Sequence, residues 1–148
     1  MCCCKKNEQS AHALGRSRGG FSTKIHGVCD ALGNPLRFIL TGGQVSDHTQ
    51  SVNGVDGLKY DALLADKGYD SDRLREHVQQ SGAEAIIPPR CNRRKSIDYD
   101  REIYKERHKI ECLFGFLKHY RRLFSRFDKY VSRFSAFLHF AAAIQWLK

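Results

Sequence analysis

Residues 61–70 read Asp61-Ala-Leu-Leu-Ala-Asp66-Lys-Gly-Tyr-Asp70. The apolar run from Ala62 to Ala65 is too short for an ordinary helix and suits a short buried strand. Asp66 stands directly after that strand, and Gly68 permits a tight turn. In open α/β sheets, groups that bind ligands gather outside the carboxyl ends of strands. Asp66 is therefore a candidate metal-binding carboxylate. The competing reading makes it a turn cap, a frequent use of Asp.

Downstream of this stretch, the sequence predicts a helix over about 71–80, with Gly82 as its C-terminal signal. Glu84 to Ile87 reads as another short strand, stopped by Pro88-Pro89. Residues 90–98 form a basic loop. A long helix is expected from Tyr99 or Asp100 to about Tyr120, and a last helix over roughly 130–147. Upstream, Phe21 to Asp30 and Leu36 to Leu40 suit two strands of a hairpin, turned at Gly33-Asn34. Residues 47–57 are a weak helix candidate capped by Ser46 or Asp47, and residues 1–20 read as irregular. A hairpin followed by alternating strands and helices predicts an α/β domain over 21–148, a mixed sheet with helices on its faces.

The composition agrees with a soluble globular chain of 148 residues, 41% hydrophobic, with a formal net charge of +9. That charge is concentrated. Residues 88–133 hold fourteen basic and six acidic side chains, a net +8, whereas the ten basic and ten acidic side chains of residues 1–87 cancel. A concentrated basic segment attracts a polyanion, most often nucleic acid; the competing reading is a solvated helix surface. Arg93, Arg94 and Lys95 are candidates for contact with a DNA backbone. The six cysteines form no C-x-x-C pair and no zinc-site spacing. With no apolar leader at the N-terminus, a reducing cytoplasm is the expected setting. The apolar run Phe134 to Leu147 has fourteen residues, short of the ~20 needed to cross a membrane. It is expected to be a buried helix, with Phe134, Phe137, Phe140 and Trp146 in the core. His26, His48, His108 and His119 read as surface histidines.

Within the long helix, Tyr104, Arg107, Glu111 and Lys118 are spaced 3, 4 and 7 residues apart. At about 100° per residue they fall within an arc of about 60°. This polar stripe borders the apolar face of Ile103, Ile110, Leu113, Phe114 and Leu117, so it belongs at the rim of the core, where a cleft can form. The competing reading is an exposed stripe with i,i+4 charge pairing.

The pattern Y-x-x-R-x-x-x-E-x-x-x-x-x-x-K made by Tyr104, Arg107, Glu111 and Lys118 resembles the C-terminal signature of bacterial DDE transposases. The segments Gly15 to His26 (G-R-S-R-G-G-F-S-T-K-I-H), Leu63 to Asp70 (L-L-A-D-K-G-Y-D) and Ile87 to Arg93 (I-P-P-R-C-N-R) are similar to the insertion-sequence-five type within that family. The likeness covers about residues 14–148. It implies a ribonuclease H-like fold, with Asp66 as the second catalytic Asp and Glu111 as the catalytic Glu, both ligands of magnesium or manganese. It implies DNA as partner, namely the ends of the element and target DNA, contacted by Tyr104, Arg107 and Lys118 with the basic loop. The reaction implied is metal-dependent strand cleavage and transfer, an in-line displacement served by two metal ions about 3.5–4 Å apart. Magnesium prefers carboxylate oxygens and retains waters.

The family's first catalytic Asp lies on a first strand upstream of the G-R-S-R-G-G segment. Met1 to Leu14 contain no Asp and no strand-like run. The chain is therefore expected to be the C-terminal part of the catalytic domain, lacking its first strand, with a gap in the sheet and no activity alone. An upstream transposase segment or a full-length transposase is the expected partner, and the complete protein is expected to be a homo-oligomer. Two other readings are a non-catalytic DNA-binding fragment that modulates a complete transposase and a ribonuclease H-like metal nuclease.

Overall fold

The computed structural model describes residues 15–17, 20–93, 97–125, 128 and 130–147. Among them are the strands β1 (Gly15–Ser17), β2 (Gly20–Cys29), β3 (Pro35–Gly42), β4 (Ala62–Leu64) and β5 (Glu84–Ile86). The helices are α1 (Ser51–Val55), α2 (Asp72–Gln80), α3 (Arg101–Tyr104), α4 (His108–Lys118), α5 (Arg121–Phe124) and α6 (Val131–Trp146). Short 3-10 turns occupy Asp47–Gln50, Lys67–Tyr69 and Lys105–Arg107.

β2 and β3 form the expected antiparallel hairpin, in register from Thr23 opposite Gly42 to Val28 opposite Arg37. Its turn is made by Gly33 at φ +89°, where a side chain would be strained. The Asp30 carboxylate accepts from the backbone N–H of Leu32 and of Asn34, each at 2.8 Å. β1 pairs with the start of β2, Gly15 opposite Ser22. The irregular segment expected through residue 20 thus gives way to strand at Gly15–Ser17 and Gly20. Gly15-Arg16-Ser17 has no apolar alternation to read; backbone pairing alone makes it a strand. Residues 1–14, with the triple Cys, lie outside the described residues.

β4 and β5 pair in parallel, Ala62 opposite Glu84 and Leu64 opposite Ile86, with α2 as the crossover. The Ser71 hydroxyl caps α2 by accepting from Leu74 N at 3.3 Å. Gly82 follows the helix at φ +79°. The weak helix candidate over 47–57 is a 3-10 turn that runs into α1.

The mixed sheet expected from the element order is divided, and the gap expected between the hairpin and the Asp66 strand is present. β1-β2-β3 form one sheet and β4-β5 another, and among the described residues no strand bridges β2 and β4. Each sheet has its own core. Leu113, Leu117, Leu123, Phe134, Leu138 and Ala141, from α4, α5 and α6, pack on Ile25, Phe38 and Leu40 of the hairpin. Val55, Leu74, Val78 and Ile87 pack with Leu63 and Ala85 around the smaller sheet. Burying each such Leu or Ile contributes roughly 1.5–3 kcal/mol.

The structure departs from three expectations. The uninterrupted helix to Tyr120 is broken by the 3-10 turn at Lys105–Arg107, and α5 is a separate helix because Tyr120 is extended at φ −84°, ψ 103°. Phe134 is buried as expected, but Phe140 and Trp146 are 60% and 53% exposed. α6 turns one stripe, Phe134, Leu138 and Ala141, into the core it shares with α4, α5 and the hairpin, and Phe140 lies off it. The Trp146 indole N–H donates to Pro35 O at 2.8 Å, which anchors one edge and leaves the ring half in water. His26, expected at the surface, is 7% exposed. No helix of the described residues is long and apolar enough to cross a membrane.

Candidate active site

The two sheets face each other across a cavity of about 270 Å³. Ile25 and Val28 of β2 line one side, Leu63 and Ala65 the other, and Ile110 and Phe114 of α4 also contribute. A second cavity, about 490 Å³, shares Val28, Leu63, Arg107 and Ile110 with the first and extends toward residues 58–62. The gap between the sheets is therefore a real space with apolar walls.

Polar groups also line the first cavity. Asp66 and Glu111 both line it, with His26, Tyr69 and Arg107. Asp66 arrives from the end of β4 and Glu111 from the first turn of α4. One oxygen of Asp66 accepts from Lys67 N at 2.9 Å, so Asp66 is both a turn cap and a cavity carboxylate. Glu111 accepts from Arg107 Nη2 at 2.6 Å, an i,i+4 ion pair. The two competing readings of the stripe meet here, since the pair that satisfies helix electrostatics also borders the cavity.

Arg107 links the two acids. Its guanidinium lies over the Tyr104 ring, 5.6 Å from the centroid. Burial acts to lower its pKa, but the hydrogen bond to Glu111 and the charges of Glu111 and Asp66 outweigh that and hold it above the ordinary value. Burial, with the Asp66 charge adding to it, raises the pKa of Tyr104. Lys118 is exposed, two helical turns beyond Glu111, and lines neither cavity. The structure thus brings Tyr104, Arg107, Glu111 and Asp66 together and leaves Lys118 apart.

Sequence reasoning missed a polar chain beside the acids. The buried His26 ring hydrogen-bonds to Thr41 Oγ1 at 2.8 Å through Nε2 and to the Tyr69 hydroxyl at 3.1 Å through Nδ1. Burial, which disfavours charge, lowers the His26 pKa. Burial and the charges of Asp47 and Asp66 push the Tyr69 phenol up to about 12, so both groups are neutral near pH 7. Lys24 ties the same region down, donating to Val45 O at 2.8 Å and to Asp47 at 3.0 Å. The one sequence signal was the run of chemistry-bearing residues in D-K-G-Y-D; nothing local to His26 announced its burial.

Arg93, expected to face DNA, turns its fork onto Asp70 and Asp72. Arg94 and Lys95 lie outside the described residues. Among the described residues no group of three or more His, Cys, Asp or Glu is placed to hold a metal ion. Asp66 and Glu111 offer the carboxylate oxygens that magnesium favours, but as a pair they fill only part of its octahedral shell.

The family described as transposase DDE domain matches residues 4–146. The chain is 40% identical over 131 residues to the proposed transposase for insertion sequence element IS6501 of Brucella ovis, a match covering 86% of this chain and 99% of that protein. It is 36% identical over 135 residues to the proposed transposase for insertion sequence element IS402 of Burkholderia cepacia, covering 83% of this chain and 61% of that protein. No solved structure matches the chain.

Proposed function

This chain belongs to the family of insertion-sequence transposases with a DDE domain, and we propose that it serves the metal-dependent cleavage and transfer of DNA strands at the ends of its own element. The observation that supports this most is the meeting of Asp66 and Glu111 on one cavity, reached from different elements and joined electrostatically by Arg107. A divalent ion, magnesium or manganese, held by these two carboxylates would supply Lewis-acid polarisation of a phosphodiester oxygen.

The chain's own residues have separate tasks in this reading. Arg107 offsets the like charges of Asp66 and Glu111 and keeps donors for a phosphate oxygen, since its bond to Glu111 uses one of five N–H groups. Tyr104 backs the guanidinium with its ring face. Lys118, Arg94 and Lys95 supply phosphate contacts farther along the duplex. Arg93 is a weaker candidate for that task, because its fork is occupied by Asp70 and Asp72.

The third carboxylate comes, in this proposal, from a strand seated between β2 and β4 and belonging to the upstream part of the catalytic domain. The divided sheet supports it: beyond Ser22, where the pairing with β1 ends, β2 pairs with β3 alone, and no strand lies between that part of β2 and β4 among the described residues; an edge without partners costs hydrogen bonds. The 148 residues alone are then catalytically incomplete. The second reading, a DNA-binding fragment that modulates a complete transposase, is favoured by the lack of a three-acid cluster among the described residues. The deciding assay follows nicking of DNA carrying an element end, with magnesium or manganese, for the chain alone and with the upstream segment added. Cleavage that survives Asp66→Asn would sink the assignment of the site.

A further inference from the structure

The turn that carries Asp66 is intrinsically weak. It is a 3-10 turn of three residues, Lys67–Tyr69, after a strand of three residues. Such turns have poorer hydrogen-bond geometry than α-helix. A group that must hold a ligand needs placement within about 0.5 Å, which an untethered turn does not give.

The tether comes from the segment Pro88 to Arg93, whose basic character suggests DNA. Arg90 lays its guanidinium across the turn: Nε donates to Lys67 O at 3.2 Å and Nη2 to Gly68 O at 2.6 Å. Its backbone N–H donates to Asp70 Oδ2 at 3.0 Å. Arg93 Nη1 donates to both Asp70 oxygens, at 3.0 and 3.1 Å, and Nη2 to Asp72. Arg75 completes the set, donating from Nε to Asp70 Oδ1 at 2.8 Å and from Nη2 to Ile87 O at 2.7 Å. Asp70 is 4% exposed, so these bonds are made in a poorly solvated place where they are strong and directional. The hydrogen bonds of Arg90 and Arg93 thus point into the protein, toward the Asp66 turn.

We propose that Arg90 and Arg93 are positioning residues that fix the 66–70 turn and so hold the Asp66 carboxylate on the cavity wall it shares with Glu111. Arg90 acts on the turn's carbonyls and Arg93 on its far end through Asp70. Neither touches the ion. The inference rests on the reading that Asp66 and Glu111 hold a divalent ion. It also takes two cations out of the surface available to DNA. The requirement at Arg90 is geometric: two carbonyls are spanned by one planar fork, which the single ammonium of lysine cannot do.

The test uses the full chain and Mn²⁺ alone, with free Mn²⁺ followed by electron paramagnetic resonance. Asp66→Asn should weaken Mn²⁺ binding, which checks the site itself. Arg90→Gln and Arg93→Gln should each weaken it by about tenfold, as loss of an orienting partner does. In an Asp66→Asn background the same changes should add nothing. Arg90→Lys keeps the charge and the aliphatic stem, and so guards against simple unfolding; it should still show the loss. If Asp66→Asn leaves Mn²⁺ affinity unchanged, the site reading falls and the inference with it. If Asp66→Asn weakens binding but the arginine variants do not, the positioning role alone is overturned. A loss that persists in the Asp66→Asn background, or full rescue by Arg90→Lys, overturns it too, because general stability or charge would then account for the effect.

Discussion

Arg93 reaches from the loop after β5 to grip Asp70 at the end of the Asp66 turn, with Nη1 3.0 and 3.1 Å from the two carboxylate oxygens. Arg75 and the Arg90 backbone bind the same carboxylate. One buried acid therefore joins α2, the loop after β5 and the turn after β4, and stability and site geometry share a single ionic knot.

Breaking that knot should be costly. Asp70→Ala leaves Arg75 and Arg93 without their anion and removes the acceptor for Arg90 N. Loss of one partner of a buried pair typically costs about 3 kcal/mol or more, so the urea midpoint should fall well below that of the unaltered chain. An Asp70→Ala variant within about 0.5 kcal/mol of it would place Asp70 among ordinary surface positions.

Acid should loosen the fold in two stages. Burial favours neutral His26 and lowers its pKa from the ordinary 6.5; the associated stability is present above 6.5 and lost as pH falls from there through the lowered value. Burial acts to raise the Asp70 value, but hydrogen bonds from Arg90, Arg75 and Arg93 bring it below the ordinary 3.8. Its contribution is present above 3.8 and lost as pH falls through the lowered value. Denaturant midpoints from about pH 8 to well below 3.8 should show both declines, and His26→Gln should remove only the first. A midpoint flat between about pH 7 and 5 would contradict the buried, neutral His26.

The short strand at 61–65, the hairpin, the Ser71 cap and the Gly82 stop are all legible in the sequence because each is written locally, in an apolar run or a cap or turn residue. The two carboxylates that meet on the cavity are legible for the same reason, as a strand-end Asp and a helical stripe. What the sequence hides depends on distant partners. The 3-10 tightening at 105–107 leaves no local mark. His26 looks like any strand histidine until Thr41 and Tyr69 close on it. Arg93 and its neighbours read as one basic loop, because charge counts do not say which cations are answered by Asp70 and Asp72.

That difference predicts how DNA binding responds to salt. Removing one phosphate-binding cation should flatten the slope of log K against log salt by about 0.9. Arg94→Ala and Lys95→Ala should each do so. Arg93→Ala should leave the slope unchanged, since its charge is already paired. Equal flattening by Arg93→Ala would show that DNA draws Arg93 away from Asp70.

The 148-residue chain alone should not cleave element-end DNA with magnesium or manganese, because Asp66 and Glu111 cannot by themselves hold two ions in the two-metal geometry. On the proposed reading, adding an upstream segment that carries the third Asp, in one chain or as a separate piece, should raise both stability and cleavage. The two gains have different causes. A strand laid between β4 and the part of β2 beyond Ser22 makes two ladders of backbone hydrogen bonds and covers Ile25, Val28 and Leu63, which now line the cavity; its Asp would add the proposed third ligand. An upstream segment with that Asp changed to Asn should therefore restore the stability without the cleavage, and Asp66→Asn in the completed protein should abolish the cleavage again. If the upstream segment raised cleavage while the cavity residues kept their solvent exposure, measured by hydrogen exchange at β2 and β4, the strand would be acting from elsewhere and the gap would need another occupant. Strong metal-dependent cleavage by the 148 residues alone would mean that a carboxylate outside the Asp66–Glu111 pair, such as Asp47 held by Lys24, moves in to complete the site.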